Sequence, residues 1–286
     1  MISREEYIEQ SAFMAAMLEA SAPKPGNVSP LYSKGKTKFE HFIASASAIA
    51  PVMGKIAAGE FSLGQGIFHA VNRSMSIQRG GNVHLGIILL FAPISSAAGV
   101  SDSLGLGSLR MEIKRILDST DYQDTVYVYN AIKHSEASGV PKEVMQEKTL
   151  KEIIEGHIPL KEWMSRGKKN NLIAREYSED FRISFETALP AIKSAYQKEN
   201  DILRAILIAY LNILSRYEDS LIYGKFGKES AEDVKKKAKE VLKTMDDEVI
   251  QDFHRYLIEK GMNPGTSADI VASALYLGIL SREIEL

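Results

Sequence analysis

The first stretch whose residue types could do chemistry is Lys24-Pro25-Gly26-Asn27, which lies between two predicted helices. Proline fixes the backbone angle φ, and Gly26 lets the main chain come close to a ligand. The Lys24 ammonium and nearby backbone N–H groups, that of Asn27 included, could together bind an anion such as phosphate. A stiff turn between helices explains the same residues without any ligand, so both interpretations stay open.

The second stretch is a Gly80-Gly81 turn that runs through Asn82 and His84 into a long apolar segment. The first backbone N–H groups of a helix lack partners, and the helix dipole is positive there, so such a turn can bind an anion. Asn82 and His84 would lie in the first turn, where phosphate oxygens would bind. Alternatively, Asn82 caps the helix and His84 is a histidine packed in the core.

The third stretch opens the last apolar segment and contains Gly265, Thr266, Ser267 and Asp269. Thr266 has the type of an N-cap residue, and Asp269 follows three residues later, in the register of a capping box. The functional interpretation is that Gly265, Thr266 and Ser267 bind phosphate while Asp269 binds a metal ion. Mg²⁺ is usually bound by one or two carboxylates together with the phosphates of a substrate.

Two further acidic positions are Glu176, within Arg175-Glu176-Tyr177, and Asp219, which follows a strongly apolar segment. Charged residues after an apolar helix often mark only its exit into solvent. Asp219 is the stronger functional candidate, because the end of so apolar a helix is expected to face an interior cleft.

Helices must position these residues, because apolar side chains recur at helical spacing along most of the chain. The expected helices cover residues 5–19, 39–58, 63–77, 202–214, 231–244 and 267–280. Residues 125–129 have strand propensity, but their flanking residues continue a helical period. The pattern predicts an all-α fold, with residues 1–286 as one globular multi-helix domain around a buried central helix. The more polar segment 135–171 is predicted to be a lid or an insertion.

The composition excludes several classes of function. The chain has 286 residues, a net charge of −2 and no cysteine. Nucleic-acid binding is not expected without a basic surface, and disulfides, zinc ribbons and thiol catalysis are excluded. Residues 83–100 are apolar but contain His84 and Pro93, so we expect a core helix, no membrane association and a cytoplasmic protein. No Walker A, G-x-S-x-G or H-E-x-x-H motif is present.

The three stretches, in this order, resemble the triphosphoribosyl-dephospho-CoA synthase family, in particular its archaeal-type branch. The resemblance spans nearly the whole chain. This sequence differs from citrate-lyase-associated members, which commonly carry an acidic residue soon after the Pro-Gly turn and a threonine where Val83 stands here. The segments that carry the resemblance are residues 24–28, 39–46, 82–90, 124–132, 175–177 and 264–269.

The resemblance implies an all-α transferase that moves the 5-triphosphoribosyl group of ATP to the 2′-hydroxyl of dephospho-CoA, with release of adenine. Mg²⁺ bound with ATP is the implied cofactor, and ATP and dephospho-CoA are the implied small-molecule partners. Lys24, Asn82 and Thr266 would contact phosphate. Asp219 and Asp269 would bind the metal. A homodimer is compatible with the sequence, which does not determine the oligomeric state.

Glu176 and His84 are the residues that the resemblance suggests as acid and base, with Asp219 as a further catalytic carboxylate. Asp219→Asn is accordingly expected to abolish turnover and leave the fold intact. Two alternatives stay open. One is another nucleotide- or phosphoribosyl-using enzyme of coenzyme biosynthesis on the same scaffold, because a fold does not dictate a function. The other is a helical nucleotide-binding protein without catalysis.

Overall fold

The computed structural model describes residues 2–137 and 142–286, and over these ranges the chain is built from helices. The first seven α-helices are α1 Arg4–Ser21, α2 Phe39–Ala57, α3 Leu63–Ile77, α4 Leu85–Val100, α5 Leu106–Asp118, α6 Tyr122–His134 and α7 Glu147–Glu155. The next seven are α8 Leu160–Ser165, α9 Leu172–Ser178, α10 Leu189–Glu199, α11 Ile202–Arg216, α12 Ser220–Thr244, α13 Asp247–Glu259 and α14 Gly265–Leu280.

The prediction of an all-α fold is confirmed, since no β-strand forms within the described ranges and only two isolated bridges occur. The predicted helix 63–77 coincides with α3, and residues 125–129 lie inside α6, as expected. The predicted helix 231–244 is only the second part of α12. That helix begins earlier, at Ser220, and is interrupted at Gly227, whose φ of 82° breaks the helical backbone.

The centre of the molecule is formed by α4 and α14, which are buried along nearly their whole length. Both are apolar on all sides, as expected for a helix that other helices surround. Several of their polar groups are paired inside the core. The Tyr276 hydroxyl lies 2.8 Å from that of Ser95, and the Tyr177 hydroxyl donates to the Leu89 carbonyl at 2.7 Å.

The start of α14 differs from the sequence prediction. The N-cap position is Pro264, without a side-chain hydrogen bond, and Thr266 lies one residue inside the helix. The predicted capping box between Thr266 and Asp269 is therefore wrong. The start of α14 is capped instead by a carboxylate from the N-terminus of α12, because Asp219 accepts a hydrogen bond from the Ser267 N–H at 2.7 Å.

Part of the segment 135–171 falls on residues 138–141, which lie outside the described residues. After them come a short 3₁₀ turn, Lys142–Met145, and then α7 and α8. Whether this segment is a lid stays a prediction. In the described ranges, no helix is both long enough and apolar enough to cross a bilayer.

Candidate active-site cavity

A cavity of about 1130 Å³ opens between the end of α1 and the starts of α4, α12 and α14. Ligand pockets typically have volumes of about 300–1,000 Å³, so this one is large enough for a nucleotide together with a second substrate. Five of the predicted site residues line it: Asn27, Asn82, Gly265, Thr266 and Asp269. The three glycine-containing stretches of the sequence, at residues 24–27, 80–84 and 265–269, thus each contribute to the lining of one cavity.

Asp269 lies one turn inside α14 and faces the first turn of α4. A side chain at Gly86 would place its Cβ only 2.0 Å from Asp269 Oδ2, so the absence of a side chain at Gly86 makes room for the carboxylate. No hydrogen bond fixes the Asp269 oxygens within the described residues. This carboxylate is consequently available to a ligand in the cavity.

Glu19, in the last turn of α1, also lines the cavity and forms an ion pair with Lys24 at 2.9 Å. The Lys24 side chain is fully buried, and its ammonium also donates to the carbonyls of Glu19 and Ala22. An ammonium has three donor hydrogens, so these contacts occupy all of them. The phosphate contact predicted for Lys24 stays a prediction. The observed contact of the Lys24 ammonium is an ion pair with the Glu19 carboxylate.

Negative charge exceeds positive charge around Asp269. Its pKa is raised well above the ordinary value, first by burial and then by the nearby charges of Glu19 and Asp219, while Lys24 acts in the opposite direction. Three carboxyl groups thus share one buried lysine. A cation bound beside Asp269 would relieve this repulsion, since an opposite charge favours the ionised form of a carboxyl group.

Asp219 lies behind the cavity wall and does not line the cavity. One of its oxygens accepts the N–H groups of Leu221 and Ile222 and so caps α12. The other accepts the Ser267 N–H and hydroxyl at 2.7 and 2.8 Å. Burial raises the pKa of Asp219, and these hydrogen bonds oppose that effect. The predicted catalytic and metal roles of Asp219, and the phosphate role of Ser267, stay predictions. The observed contacts join α12 to α14.

The turn that contains Gly26 and Asn27 is held between α13 and the start of α14. Gly26 has φ of 79°, and a Cβ there would meet Leu257 at 2.9 Å and Pro264 at 3.0 Å. The Asn27 amide nitrogen donates to the Asn263 side chain. Within the described residues the buried Asn27 oxygen accepts no hydrogen bond, so it can accept one from a substrate.

Asn82 and His84 fulfil different roles at the start of α4. Asn82 lines the cavity and its side-chain oxygen accepts the Leu85 N–H at 3.0 Å. His84 is buried against Phe42, and its Nδ1 lies 2.8 Å from the Ser45 hydroxyl. Burial lowers the pKa of His84 to about 3. The ring is therefore neutral at physiological pH, and its acid–base role stays a prediction.

Glu176 lies apart from the cavity and is fully buried. Its two oxygens accept the N–H groups of Ile183 and Ser184 at 2.7 and 2.9 Å, at the start of a π-helical turn, Ser184–Ala188. Burial raises the pKa of Glu176 to about 7, although these hydrogen bonds oppose the shift. A catalytic role for Glu176 stays a prediction, and its observed hydrogen-bond partners are Ile183 and Ser184.

The cavity has a polar end and an apolar end. The polar end contains Glu19, Asp269 and the start of α14. The apolar end is the side at α8 and α9, where Arg166, Lys169 and Asn171 also line the cavity. Its walls include Leu89, Ile132, Met145, Trp163, Met164 and Ile173.

The residues present fit Mg²⁺ only if a substrate supplies part of its coordination. Among the described residues, no three His, Cys, Asp or Glu side chains are grouped so as to hold an ion. Glu19 and Asp269 are two carboxylates at one end of the cavity. This matches the usual binding of Mg²⁺ by one or two carboxylates and the phosphates of a nucleotide.

Sequence reasoning did not identify Glu19, Gly86, Lys34 or Lys225, all of which line the cavity. One signal was present for Glu19, which interrupts an apolar helix face five residues before Lys24. A glycine at position 86 gave a weaker signal. The two lysines lie in polar segments, where lysines are common on any surface, so no pattern distinguished them.

Known proteins resemble this chain in sequence and in structure. A family model described as ATP:dephospho-CoA triphosphoribosyl transferase matches residues 5–286. A Malonomonas rubra protein with the provisional name 2-(5''-triphosphoribosyl)-3'-dephosphocoenzyme-A synthase is 31% identical over 102 residues, which are 34% of this chain and 32% of that protein. The matched part is thus about a third of that relative's length.

A solved structure from Archaeoglobus fulgidus, provisionally assigned as a triphosphoribosyl-dephospho-CoA synthase, has the same fold. It is 30% identical, with a TM-score of 0.70 over 84% of this chain and 98% of that chain. Because the family model covers almost the whole sequence, the chain belongs to the ATP:dephospho-CoA triphosphoribosyl transferase (CitG) family.

Proposed function

We propose that this protein transfers the 5-triphosphoribosyl group of ATP to the 2′-hydroxyl of dephospho-CoA and releases adenine. The supporting observation is that Glu19 and Asp269 share one large cavity with the start of α14. The reaction forms a bond between the acceptor oxygen and C1 of the ATP ribose and breaks the bond from that carbon to adenine. The acceptor hydroxyl loses its proton, and adenine gains one.

The polar end of the cavity supports binding of the triphosphate. Gly265 and Thr266 lie in the first turn of α14, where backbone N–H groups and the helix dipole favour anions. Asn82 contributes an amide at the start of α4. Mg²⁺, bound with ATP, would neutralise phosphate charge, and Asp269 is the carboxylate best placed to hold it, because a cation would relieve the repulsion described above.

Glu19 is the carboxylate that we assign to the proton of the incoming hydroxyl. It lines the cavity, and its ion pair with Lys24 fixes its position. A correctly placed general base typically contributes about 10²–10⁴ to a rate. The apolar end, with Trp163 and Met164, suits an adenine ring or the alkyl arm of dephospho-CoA.

The test is to incubate the purified protein with ATP, Mg²⁺ and dephospho-CoA and to measure adenine by chromatography. Adenine release that requires dephospho-CoA is the expected result, with one acceptor consumed per adenine. Release of phosphate, or adenine release at the same rate without acceptor, would show a hydrolase in place of a transferase. Binding of ATP without turnover would show that the protein is not this enzyme.

A further inference from the structure

Two lysines that sequence reasoning did not single out lie together at the cavity. Lys34 belongs to the loop between α1 and α2, and Lys225 lies on the first part of α12, before the break at Gly227. Both line the cavity. Neither forms an ion pair with a carboxylate of the described residues, whereas the cavity-lining residues Glu19 and Arg166 each form one.

The position of the two lysines relates them to α14. The Lys34 ammonium donates to the Gly261 carbonyl at 3.0 Å, in the turn that leads into that helix. Leu221 packs beside Gly265, since a Cβ on Gly265 would lie 3.2 Å from it. Lys225 is one helical turn beyond Leu221 and so lies on the same face of α12. The lysines therefore flank the start of α14.

The charges of these lysines are uncompensated. Burial, and then the charge of Lys225, lower the pKa of Lys34 to about 8. Burial likewise lowers the pKa of Lys225. Lys34 is half-buried and Lys225 is exposed, and the charge of Lys225 acts on Lys34. An anion bound between the two lysines would offset both the cost of burial and the repulsion between the ammonium groups, because an opposite charge favours the ionised form of a lysine.

We propose that Lys34 and Lys225 form a clamp for one end of a linear phosphoanhydride chain whose other end lies at the start of α14. This proposal rests on the proposed function, in which such a chain occupies the cavity. Lys24, whose donors all contact the protein, does not supply these contacts. The ligand class is a polyphosphate, present both in the triphosphate of ATP and in the diphosphate of dephospho-CoA.

The direct test is calorimetric binding of inorganic tripolyphosphate to the full chain with Lys34→Ala, Lys225→Ala or both. Each single variant is expected to bind at least about 10-fold more weakly, because it removes a charge-assisted hydrogen bond to phosphate. Lys36→Ala is the matched control, since Lys36 is exposed in the same loop and does not line the cavity. Its affinity is expected to equal that of the wild type. Thermal melts check that each variant is folded.

Steady-state kinetics identify which substrate the clamp binds. If the KM for ATP rises in the lysine variants, the clamp binds the triphosphate; if the KM for dephospho-CoA rises, it binds the diphosphate. Lys34→Arg and Lys225→Arg are expected to retain most of the affinity. Wild-type affinity and unchanged KM values in both alanine variants would overturn the clamp. So would a wild-type protein that does not bind tripolyphosphate.

These outcomes separate the clamp from the proposed function. A wild-type protein that binds tripolyphosphate through the two lysines but transfers nothing to dephospho-CoA would retain the clamp and refute the transferase. A wild-type protein that catalyses the transfer, with variants that bind and react as it does, would retain the transferase and refute the clamp.

Discussion

At the scale of residues, the site depends on how one buried lysine is shared among three acids. Lys24 pairs with Glu19, while Asp219 is satisfied by N–H and hydroxyl groups from α12 and α14. Asp269 has neither kind of partner in the described residues, and its pKa is raised accordingly. Asp269, the least satisfied of the three acids, thus lines the cavity, where a ligand can compensate its charge.

Variants of Glu19 and Lys24 are expected to separate the effect of this ion pair on protein stability from its effect on the rate of the reaction. Glu19→Gln leaves the Lys24 charge buried without its partner, and loss of one member of a buried pair costs about 3–5 kcal/mol. The double variant Glu19→Gln with Lys24→Met removes both charges, so most of the stability should return. Because no general base is present, kcat should stay about 10²–10⁴ below the wild type.

Urea unfolding and adenine release measure the two effects. A double variant that recovers its rate together with its stability would show that Glu19 has only a structural role. A single variant as stable as the wild type would show instead that the pair is not buried as described.

His84 gives a prediction about pH. Its pKa is about 3 in the folded protein, because of burial, and about 6.5 in an unfolded chain. The unfolded state therefore binds more protons between these values, so this stabilising contribution is complete above pH 6.5 and is lost as the pH falls toward 3. Between pH 7 and pH 5 the wild type should lose about 2 kcal/mol more stability than His84→Gln.

The comparison with the variant is needed because Glu176 acts in the opposite direction. Its pKa is raised to about 7 by burial, so its contribution to stability falls as the pH rises from about 4.5 to 7. Urea unfolding of both proteins at pH 5 and pH 7 isolates the contribution of His84 to the pH dependence of stability. Equal pH dependence in the two proteins would contradict a buried, neutral His84.

At the scale of elements, the starts of α12 and α14 are joined through one side chain. Asp219 caps α12 and also accepts both hydrogen bonds from Ser267 of α14. The two helices that carry Lys225 and Asp269 are thus held in one relative position. This arrangement explains why α14 needs no cap of its own at Thr266.

Asp219→Asn tests this joint. The sequence led us to expect an intact fold, but the structure predicts a loss of about 2 kcal/mol or more, because an amide nitrogen would face the Ser267 N–H. Ser267→Ala, which removes one hydrogen bond, should cost about half as much. Ser230→Ala is the control, since its hydroxyl contacts only the Phe226 carbonyl of the same helix on the exposed surface. Urea unfolding that places Asp219→Asn within error of the wild type would refute the joint.

Gly86 gives a prediction about the contact between α4 and α14. Gly86→Ala would put a methyl group 2.0 Å from Asp269 Oδ2, so the carboxylate must move and transfer should fall at least about 10-fold. Gly107→Ala, in α5, is the matched control because nothing lies within 4 Å of its added Cβ. That control should be neutral or slightly stabilising. Adenine release at the wild-type rate in Gly86→Ala would contradict the contact.

The sequence predicts the helices better than it predicts the site, for a physical reason. Helical periodicity is local, so α3 and α14 could be located to within two residues. Asn82, Thr266 and Asp269, which the sequence singled out, all line one cavity, whereas Lys24 does not line it. Local patterns could not show that Asp219 replaces a cap on another helix, nor that Lys34 and Lys225 line the same cavity, because both facts depend on how distant parts of the sequence pack.

At the scale of the whole molecule, the arrangement is a buried helical centre with its functional groups at the helix starts. The helices α4 and α14 are apolar on all sides and form the core, while their first turns open into the cavity. Residues from α8 and α9 close the apolar end. A rigid core therefore positions the polar end, and the substrate enters between helix starts.

Transfer of triphosphoribose to dephospho-CoA can be followed directly with ATP that carries an isotope label in its ribose. The protein is incubated with Mg²⁺, dephospho-CoA and ATP labelled with ¹³C in the ribose, and the products are analysed by mass spectrometry. The expected result is that label and three phosphates appear on dephospho-CoA while adenine is unlabelled, and that Asp269→Asn slows this transfer at least about 100-fold. Label that stays with adenine, or transfer by Asp269→Asn at the wild-type rate, would contradict it.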